Sequence, residues 1–220
     1  MNRGEEDYLK VLFELQSAGE EPVTNASLSL SLTHSAQSVN EMIKKLAAKD
    51  YVTYIPYQGS RLTRRGREEA VSLLRKHRLW EFFLYDKLHY SWEEIHEEAE
   101  LLEHVTSQKL TDRLFEYLGE PAYCPHGNPI PSVEGKLPTL NLDSLLEAEP
   151  GITYSLRRVV DEREVLAYLL EIGLQLGDTF QVIRKDAVSD IVTLKLQNAF
   201  IAIGYKVARL LYVEAQTSND

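Results

Sequence analysis

One short stretch of the chain, residues 96–104 with the sequence HEEAELLEH, is rich in side chains that bind metal ions. On an α-helix, four of these side chains would share one face: His96, Glu100, Glu103 and His104. Carboxylates and imidazoles gathered on one face suit a hard or borderline divalent cation, whereas a hydrophobic core has no use for them. The spacing therefore predicts a metal site on this helix.

Two other groups of residues could contribute metal ligands. His77 and Glu81 lie four positions apart in a segment with helical periodicity, so they would share a helix face. Cys124 and His126 flank a proline in a loop, and a thiol beside an imidazole suits a site whose other ligands come from elsewhere. A nucleophilic cysteine is the weaker interpretation, because no catalytic histidine and asparagine pattern accompanies it. Asp161, near the start of a predicted helix, could face the metal-binding region or cap that helix.

The elements that precede these ligands predict a winged helix-turn-helix. Apolar periodicity and capping residues indicate three helices, near 5–17, near 25–31 and from Ser35 onwards. Residues 51–63 then carry a β-rich run, a turn and a second short run, which is the pattern of a β-hairpin. In the short second helix, Leu30 and Leu32 are predicted to be core residues.

Charge is distributed unevenly along the chain. The net charge is −10, yet residues 34–67 hold seven basic and two acidic residues, a balance of +5. This basic block coincides with the predicted recognition helix and wing, and it predicts DNA binding. The residues expected to reach base edges are Ser35, Gln37, Ser38 and Asn40, and those expected to meet phosphates are Lys44, Lys45 and Arg61. A winged helix that contacts only protein, or a helical bundle with a basic surface, is the open alternative.

An acidic, histidine-rich block follows the basic one. Residues 76–126 hold five basic and eleven acidic residues, a balance of −6, together with five of the six histidines. Three helices are predicted in this region, near 65–88, from the capping box Ser91–Glu94, and near 107–118. Their apolar surface exceeds what a small winged helix can cover, so we expect them to form a dimer interface.

From about residue 150 the pattern changes to short strands, which predict a small β-barrel. The strands are expected at 153–159, 179–183, 191–196, 199–203 and 210–213, with a helix near 162–172. The predicted fold class is therefore mainly α with β. Its parts are a winged helix-turn-helix at 1–72, a helical dimerisation and metal-binding domain at 73–140, a linker at 141–150 and the barrel domain at 151–220.

Composition sets the expected surroundings of the protein. Hydrophobic residues make up 44% of the chain and charged residues 26%, as in ordinary globular proteins. No run of about 18 apolar residues and no apolar signal segment occurs, so no membrane partner is expected. The single cysteine cannot form an internal disulfide, which agrees with a cytoplasmic location.

These motifs together resemble the diphtheria toxin repressor family of metal-responsive transcription regulators, over essentially the whole chain. The likeness rests on the segments Asp7-Tyr8-Leu9, 75–79 (RKHRL) with Glu81, 96–104, and 127–131 (GNPIP). The resemblance implies that the C-terminal barrel is SH3-like, of the FeoA type.

The resemblance also implies two metal sites. The primary site would consist of Asp7, Glu100, Glu103 and His104, and the secondary site of His77, Glu81, Cys124, His126 and Asp161. Iron-responsive members have methionine and cysteine where Asp7 and Glu100 stand here, so the chain is similar to the manganese-responsive, three-domain branch. Mn²⁺ favours such oxygen-rich sites. His96 would then be a structural residue or a support for the ligands. Lys10 stands where short two-domain members have a glutamate ligand, which argues against a closely spaced pair of metal ions.

The implied function is a transcriptional regulator with Mn²⁺ as co-repressor, and Fe²⁺, Zn²⁺ or Cd²⁺ as alternatives. It would bind a palindromic double-stranded DNA operator as a homodimer and control metal-uptake genes, with no catalytic activity and no small organic substrate. Metal would relieve the repulsion between the primary-site carboxylates and order the recognition helices. One rival is a metal-independent winged-helix regulator. The other is a di-metal carboxylate enzyme, which would need a second copy of the motif Glu93-x-x-His96.

Overall fold

The computed structural model describes residues 1–138 and 140–216, and the chain divides into two compact units. The first unit contains Met1–Leu79, Glu100–Tyr117 and Pro131–Leu137, and the second contains Trp80–Ala99, Leu118–Ile130 and the chain from Pro138 onwards. Residue 139, at the end of the predicted helical domain, lies outside the described residues, as do 217–220 at the end of the predicted barrel domain.

The first unit begins with the predicted winged helix-turn-helix. Its elements are α1 (Arg3–Ser17), α2 (Asn25–Leu32), α3 (Ala36–Ala48), β1 (Val52–Ile55) and β2 (Gly59–Leu62). Each helix starts at a side-chain cap, because the first backbone N–H groups of a helix have no partner within it. Asn2 forms a capping box with Glu5, Thr24 accepts from the N–H of Ser27, and Ser35 accepts from the N–H of Ser38.

The core of the winged helix lies between the apolar faces of α1 and α3. Its fully buried side chains include Tyr8, Leu9, Leu12, Val39, Ile43 and Leu46. The prediction that Leu30 is a core residue is wrong, because its side chain is 83% exposed. Leu28 is the residue of α2 that turns inward, and Leu32 is partly buried against the same core.

The wing is an antiparallel hairpin of β1 and β2, with Val52 opposite Leu62 and Ile55 opposite Gly59. Ser60 also exchanges backbone hydrogen bonds of 2.8 and 2.9 Å with Val23, which ties the wing to the segment before α2. Gly59 has φ +133°, and a Cβ there would lie 2.0 Å from the carbonyl oxygen of Val23. Only glycine permits this approach.

Three helices follow the wing: α4 (Arg64–Leu88), α5 (Ile95–Leu102) and α6 (Gln108–Tyr117). The helix carrying the metal-ligand stripe is shorter at both ends than the sequence indicates. Residues 92–94 form a turn before α5, although Glu94 reaches back to the N–H of Ser91 at 3.1 Å as expected of a capping box. At the other end, the hydroxyl of Thr106 donates to the carbonyl oxygen of Leu102 at 2.6 Å, and residues 103–105 form a turn.

Among its described residues, the second unit contains an antiparallel sheet of six strands in the order β3-β8-β4-β5-β6-β7. The elements are β3 (Asp143–Ser144), β4 (Thr153–Val159), α7 (Arg163–Glu171), β5 (Thr179–Asp186), β6 (Ile191–Leu196), β7 (Ala199–Gly204), α8 (Tyr205–Ala208) and β8 (Leu211–Ala215). Burial alternates along β6 and the first half of β5, where Val182 and Leu194 are fully buried. Leu156 of β4 and Leu166 of α7 are also fully buried. The two-residue strand β3 was not predicted, because it is too short to show alternation.

Among the described residues, no helix combines the length and the apolar character needed to cross a bilayer.

Candidate metal centres

Four predicted ligands converge in the first unit, and we call them the first cluster: Asp7, Glu100, Glu103 and His104. One ligand atom from each lies within 4.8 Å of the others. Asp7 comes from α1, Glu100 from α5, and Glu103 and His104 from the turn after α5. His104 Nε2 is 3.0 Å from Asp7 Oδ1 and 3.5 Å from Glu103 Oε1. The structure therefore brings the predicted primary set together.

The donor atoms of the first cluster fit a metal ion. Within the described part of the chain, the buried atoms Asp7 Oδ1 and His104 Nε2 make no hydrogen bond although they face each other. Buried polar atoms without hydrogen bonds are costly, and a cation shared between them would remove that cost. Burial, with a contribution from the charge of Glu100, raises the pKa of the Asp7 carboxyl, while His104 and Lys10 oppose the shift.

Two residues that the sequence did not assign as ligands orient the first cluster. Glu6 Oε2 accepts a hydrogen bond from His104 Nδ1 at 2.6 Å, which leaves Nε2 to face the cluster. The buried Lys10 ammonium donates to Glu100 and, at 2.8 Å, to Glu103. Although burial opposes the charged form, Glu103 and Glu100 raise the pKa of Lys10. No spacing rule could have identified Glu6, because its role depends on how α1 packs.

His77 lies in the first unit, and there its Nδ1 is 2.5 Å from Glu103 Oε2. The prediction assigns His77 to the secondary set. Its contact with Glu103 means that it also helps to hold a residue of the first cluster.

A second cluster, in the second unit, consists of Glu81, Cys124, His126 and Asp161. Ligand atoms of the first three lie within 4.8 Å of one another, and all three side chains are buried. His126 Nδ1 is 2.6 Å from Asp161 Oδ1 and 3.3 Å from Glu81 Oε1. The structure therefore also joins these predicted secondary residues.

The histidine of the second cluster is oriented by a backbone carbonyl. His126 Nε2 lies 3.0 Å from the carbonyl oxygen of Trp92, which can only accept, so Nε2 carries a proton. Nδ1 then points toward the carboxylates and is available as a ligand. Burial opposes protonation there, but Glu81 and Asp161 raise the pKa of His126. Burial, followed by the charge of Glu81, raises the pKa of the Cys124 thiol to about 11, so a bound cation would have to stabilise the thiolate.

The loop that carries Cys124 and His126 packs against β4. The N–H of Val159 in β4 donates to the carbonyl oxygen of His126 at 3.0 Å. Gly127 has φ +79°, and a Cβ there would lie 2.0 Å from the carbonyl oxygen of Arg157. The loop is therefore fixed against β4 in a conformation that only glycine allows.

The structure rules out one of the alternative roles predicted for each of His96 and Asp161. His96 Nδ1 lies 3.5 Å from Asp161 Oδ2 and 3.7 Å from Glu81 Oε1, so His96 accompanies the second cluster and the prediction of a single stripe is wrong. Burial opposes the charged form, yet Asp161 and Glu81 raise the pKa of His96 to about 10. The N-cap of α7 is Glu162, without a side-chain bond, so the alternative capping role of Asp161 is wrong.

Comparisons with known proteins agree with this arrangement. Residues 2–60 match the iron dependent repressor N-terminal DNA binding domain, 63–132 the iron dependent repressor metal binding and dimerisation domain, and 144–215 the FeoA domain. The diphtheria toxin repressor of Corynebacterium efficiens is 30% identical over 195 residues, which is 82% of this chain and 83% of that protein. The chain belongs to the iron-dependent repressor family. The predicted resemblance and the three-part fold are thereby confirmed.

Other relatives within the family are regulators named for iron or manganese. The iron-dependent repressor IdeR of Mycobacterium leprae is 34% identical over 128 residues, and the match spans 58% of this chain and 55% of that protein. A solved manganese-dependent transcriptional repressor in complex with manganese is 32% identical, with a TM-score of 0.90 over 96% of this chain and 100% of that one. The structure of ScaR with bound Zn²⁺ is 39% identical, with a TM-score of 0.84 over 96% and 98%. The function class of the family, metal-dependent transcriptional repression, is the one predicted.

The predicted DNA-contacting residues differ in their exposure and in the partners that they already have. Ser35 is the N-cap of α3, and its hydroxyl lies 2.9 Å from that of Ser38. Gln37 donates to Glu41 at 3.1 Å, Lys44 is exposed and Asn40 is half-buried. Lys45 lies 3.0 Å from the buried carboxylate of Glu5, and Arg61 lies 3.6 Å from Glu21. Lys45 therefore already has an anionic partner within the winged helix.

Proposed function

We propose that this chain is a manganese-responsive repressor that binds operator DNA as a homodimer when its first cluster holds Mn²⁺. The observation that carries the proposal is the position of Asp7. This residue lies on α1 of the DNA-binding domain, and its carboxylate shares the first cluster with Glu103 and His104. Ligand binding there acts directly on a helix of the DNA-binding fold.

The donor set supports manganese in particular. Three carboxylates and one imidazole make up the first cluster, with no thiolate or thioether among them. Mn²⁺ is low in the general affinity order and is favoured by oxygen-rich sites of sufficient ligand number. Fe²⁺, Zn²⁺ and Cd²⁺ are the alternatives, and the second cluster, with Cys124, would accept the softer ions of this set more readily.

The chain's own residues define the proposed switch. Asp7, Glu100 and Glu103 repel one another, and Asp7 is the member that belongs to α1. A bound ion supplies the positive charge that holds these carboxylates together. α1 in turn is joined to the recognition helix, because Glu5 pairs with Lys45 and Lys49 at 3.0 and 2.6 Å. We infer that ordering of α1 is passed to α3 through this contact and through the shared core.

The dimer and the operator belong to the same proposal. The segment from α5 to α6 exposes apolar side chains, among them Leu101, Val105 and Leu110. Such a face suits contact with a second copy, and a two-fold dimer would place its recognition helices on a palindromic operator. We propose domain limits of 1–72, 73–140 and 151–220, with a linker at 141–150. We also propose that the protein is cytoplasmic, controls metal-uptake genes and has no enzymatic role.

The test is a titration of DNA binding with metal. A pool of randomised duplexes is selected with Mn²⁺-loaded protein, and the enriched duplex is then titrated at fixed ionic strength with Mn²⁺, Fe²⁺, Zn²⁺ or chelator. We expect enriched sequences with two-fold symmetry and binding that depends on metal, with Mn²⁺ effective. Equal affinity for the duplex in excess Mn²⁺ and in chelator would overturn the proposal and favour a metal-independent regulator.

A further inference from the structure

Lys10 is a buried cation inside the first cluster. Its ammonium group contacts the carboxylates of both Glu100 and Glu103, and its side chain is only 7% exposed. Lysine is almost never buried unless it is paired, so this position depends on the two glutamates. Lys10 lies three residues after Asp7 on α1, and this spacing turns both side chains toward the same cluster.

The two oxygens of Glu103 already have partners. Oε1 accepts from Lys10 at 2.8 Å, and Oε2 lies 2.5 Å from His77 Nδ1. Oε1 is also the oxygen that faces His104 Nε2 at 3.5 Å, the nitrogen that would bind the metal ion. A metal ion bound between His104 and Glu103 would therefore share this oxygen with Lys10 or displace Lys10 from it.

The charge of the first cluster also indicates that Lys10 and a metal ion compete for its carboxylates. The first cluster holds three carboxylates, and the permanent positive charge of Lys10 offsets one of them. A single divalent cation would balance the remaining two negative charges. Without Lys10, the carboxylates would attract a cation more strongly and would repel one another more strongly when no ion is bound.

We propose that Lys10 is a built-in competitor of the metal ion, which lowers the affinity of the first cluster and so raises the metal concentration needed for activation. The inference rests on the proposed function, because it assumes that the first cluster binds Mn²⁺. Lys10 also links α1 to Glu100 and Glu103 in the absence of metal, so the metal-free chain keeps part of the arrangement that the ion completes. Lys10 is thus a residue that tunes the response, rather than a ligand.

The test compares Lys10→Met with Lys10→Arg, which keeps the charge, and with Lys109→Met, which removes an exposed charge from α6. All variants carry His126→Ala, so that the second cluster does not contribute to the titration. Binding of Mn²⁺ alone is measured by the electron paramagnetic resonance signal of the free ion. We expect Lys10→Met to bind Mn²⁺ about tenfold more tightly or better, because a nearby like charge has been removed. Lys10→Arg and Lys109→Met should bind like the parent.

A second readout separates competition from simple structural loss. The thermal midpoint of the metal-free protein should fall in Lys10→Met, because the buried Glu103 and the partly buried Glu100 lose their contact with the ammonium group, and the shift on adding Mn²⁺ should grow. If Lys10→Met does not fold, Lys10→Gln takes its place, since it keeps a polar head without the charge. Unchanged or weaker Mn²⁺ binding by the folded neutral variant would overturn the inference.

Failure of the proposed function gives a different result. Asp7→Ala in the same background should abolish Mn²⁺ binding. If it binds like the parent, the first cluster is not the Mn²⁺ site and the proposed function fails. If Asp7→Ala abolishes binding while Lys10→Met leaves it unchanged, only the role of Lys10 is excluded.

Discussion

Glu6 Oε2 and His104 Nδ1 lie 2.6 Å apart, so an acidic residue of α1 orients the histidine of the first cluster. Carboxylates that hold a ligand histidine raise its basicity and keep its other nitrogen turned to the metal. Asp7, the next residue in the chain, is itself part of the cluster. Two consecutive acidic side chains of one helix therefore contact the same imidazole from its two nitrogens.

This relationship predicts that Glu6→Gln weakens Mn²⁺ binding by about 10- to 100-fold, the usual effect of losing such a support, without abolishing it. Glu14→Gln, an exposed change in the same helix, is the matched control and should bind like the parent. Isothermal titration with Mn²⁺ in a His126→Ala background measures the effect. Equal affinities of the Glu6→Gln and Glu14→Gln variants would show that the contact does not orient His104.

Asp7→Ala should remove metal-stimulated DNA binding while leaving the fold intact. The reason is that Asp7 is the one first-cluster member on α1, and its side chain is only half-buried. Fluorescence anisotropy of the selected duplex in Mn²⁺ and in chelator gives the stimulation, and circular dichroism checks the fold. Stimulation equal to that of the parent would contradict the role of Asp7.

Cys124→Ser should remove a thiolate ligand from the second cluster and leave the first unchanged. Co²⁺ bound to a thiolate gives a charge-transfer absorption in the near ultraviolet, and we expect this band in the parent and in Asp7→Ala. It should be absent in Cys124→Ser, because that variant has no thiol. In the parent, burial raises the pKa of the free thiol to about 11, so only a bound ion would deprotonate it. Absence of the band from the Co²⁺-loaded parent would exclude Cys124 as a ligand.

Glu5 should contribute to stability in a pH-dependent way. Hydrogen bonds from Lys49 and Lys45, against an opposing effect of burial, lower the pKa of the Glu5 carboxyl from 4.5 to about 2. Because the pKa of Glu5 is lower in the folded state, the unfolded chain binds the proton first as the pH falls. The contribution of Glu5 to the free energy of unfolding is therefore complete above about pH 4.5 and is lost as the pH falls toward 2. Urea unfolding of metal-free protein should show Glu5→Gln less stable than the parent at neutral pH.

The difference in the free energy of unfolding between Glu5→Gln and its parent should narrow near pH 3, because there the Glu5 carboxyl of the unfolded parent has already gained its proton. Glu41→Gln, an exposed change on α3, serves as the control and should follow the parent at both pH values. A stability difference that stays constant between neutral pH and pH 3 would contradict the assignment.

The winged helix could be predicted from sequence because its signals are local. Caps at Thr24 and Ser35, helical periodicity in α1 and α3, and a turn between two β-rich runs each act within a few residues. Leu30 was misassigned because α2 is only two turns long, and a leucine in it can point either way. The end of α5 was also missed, since the Thr106 hydroxyl that bonds Leu102 carries no strong sequence signal.

The sequence by itself determined which side chains are available for metal binding, because carboxylate, imidazole and thiol chemistry depends on residue type and short spacing. Tertiary structure decided which of them meet. His96 and Glu100 are four residues apart, yet His96 lies beside Glu81 and Asp161, and Glu100 beside Lys10. Ligands separated by more than 90 residues, such as Asp7 and His104, come together only through packing of α1. Packing also determines how deeply the cluster side chains are buried and where Lys10 lies. Both affect the charge of the first cluster, and neither can be read from spacing along the chain.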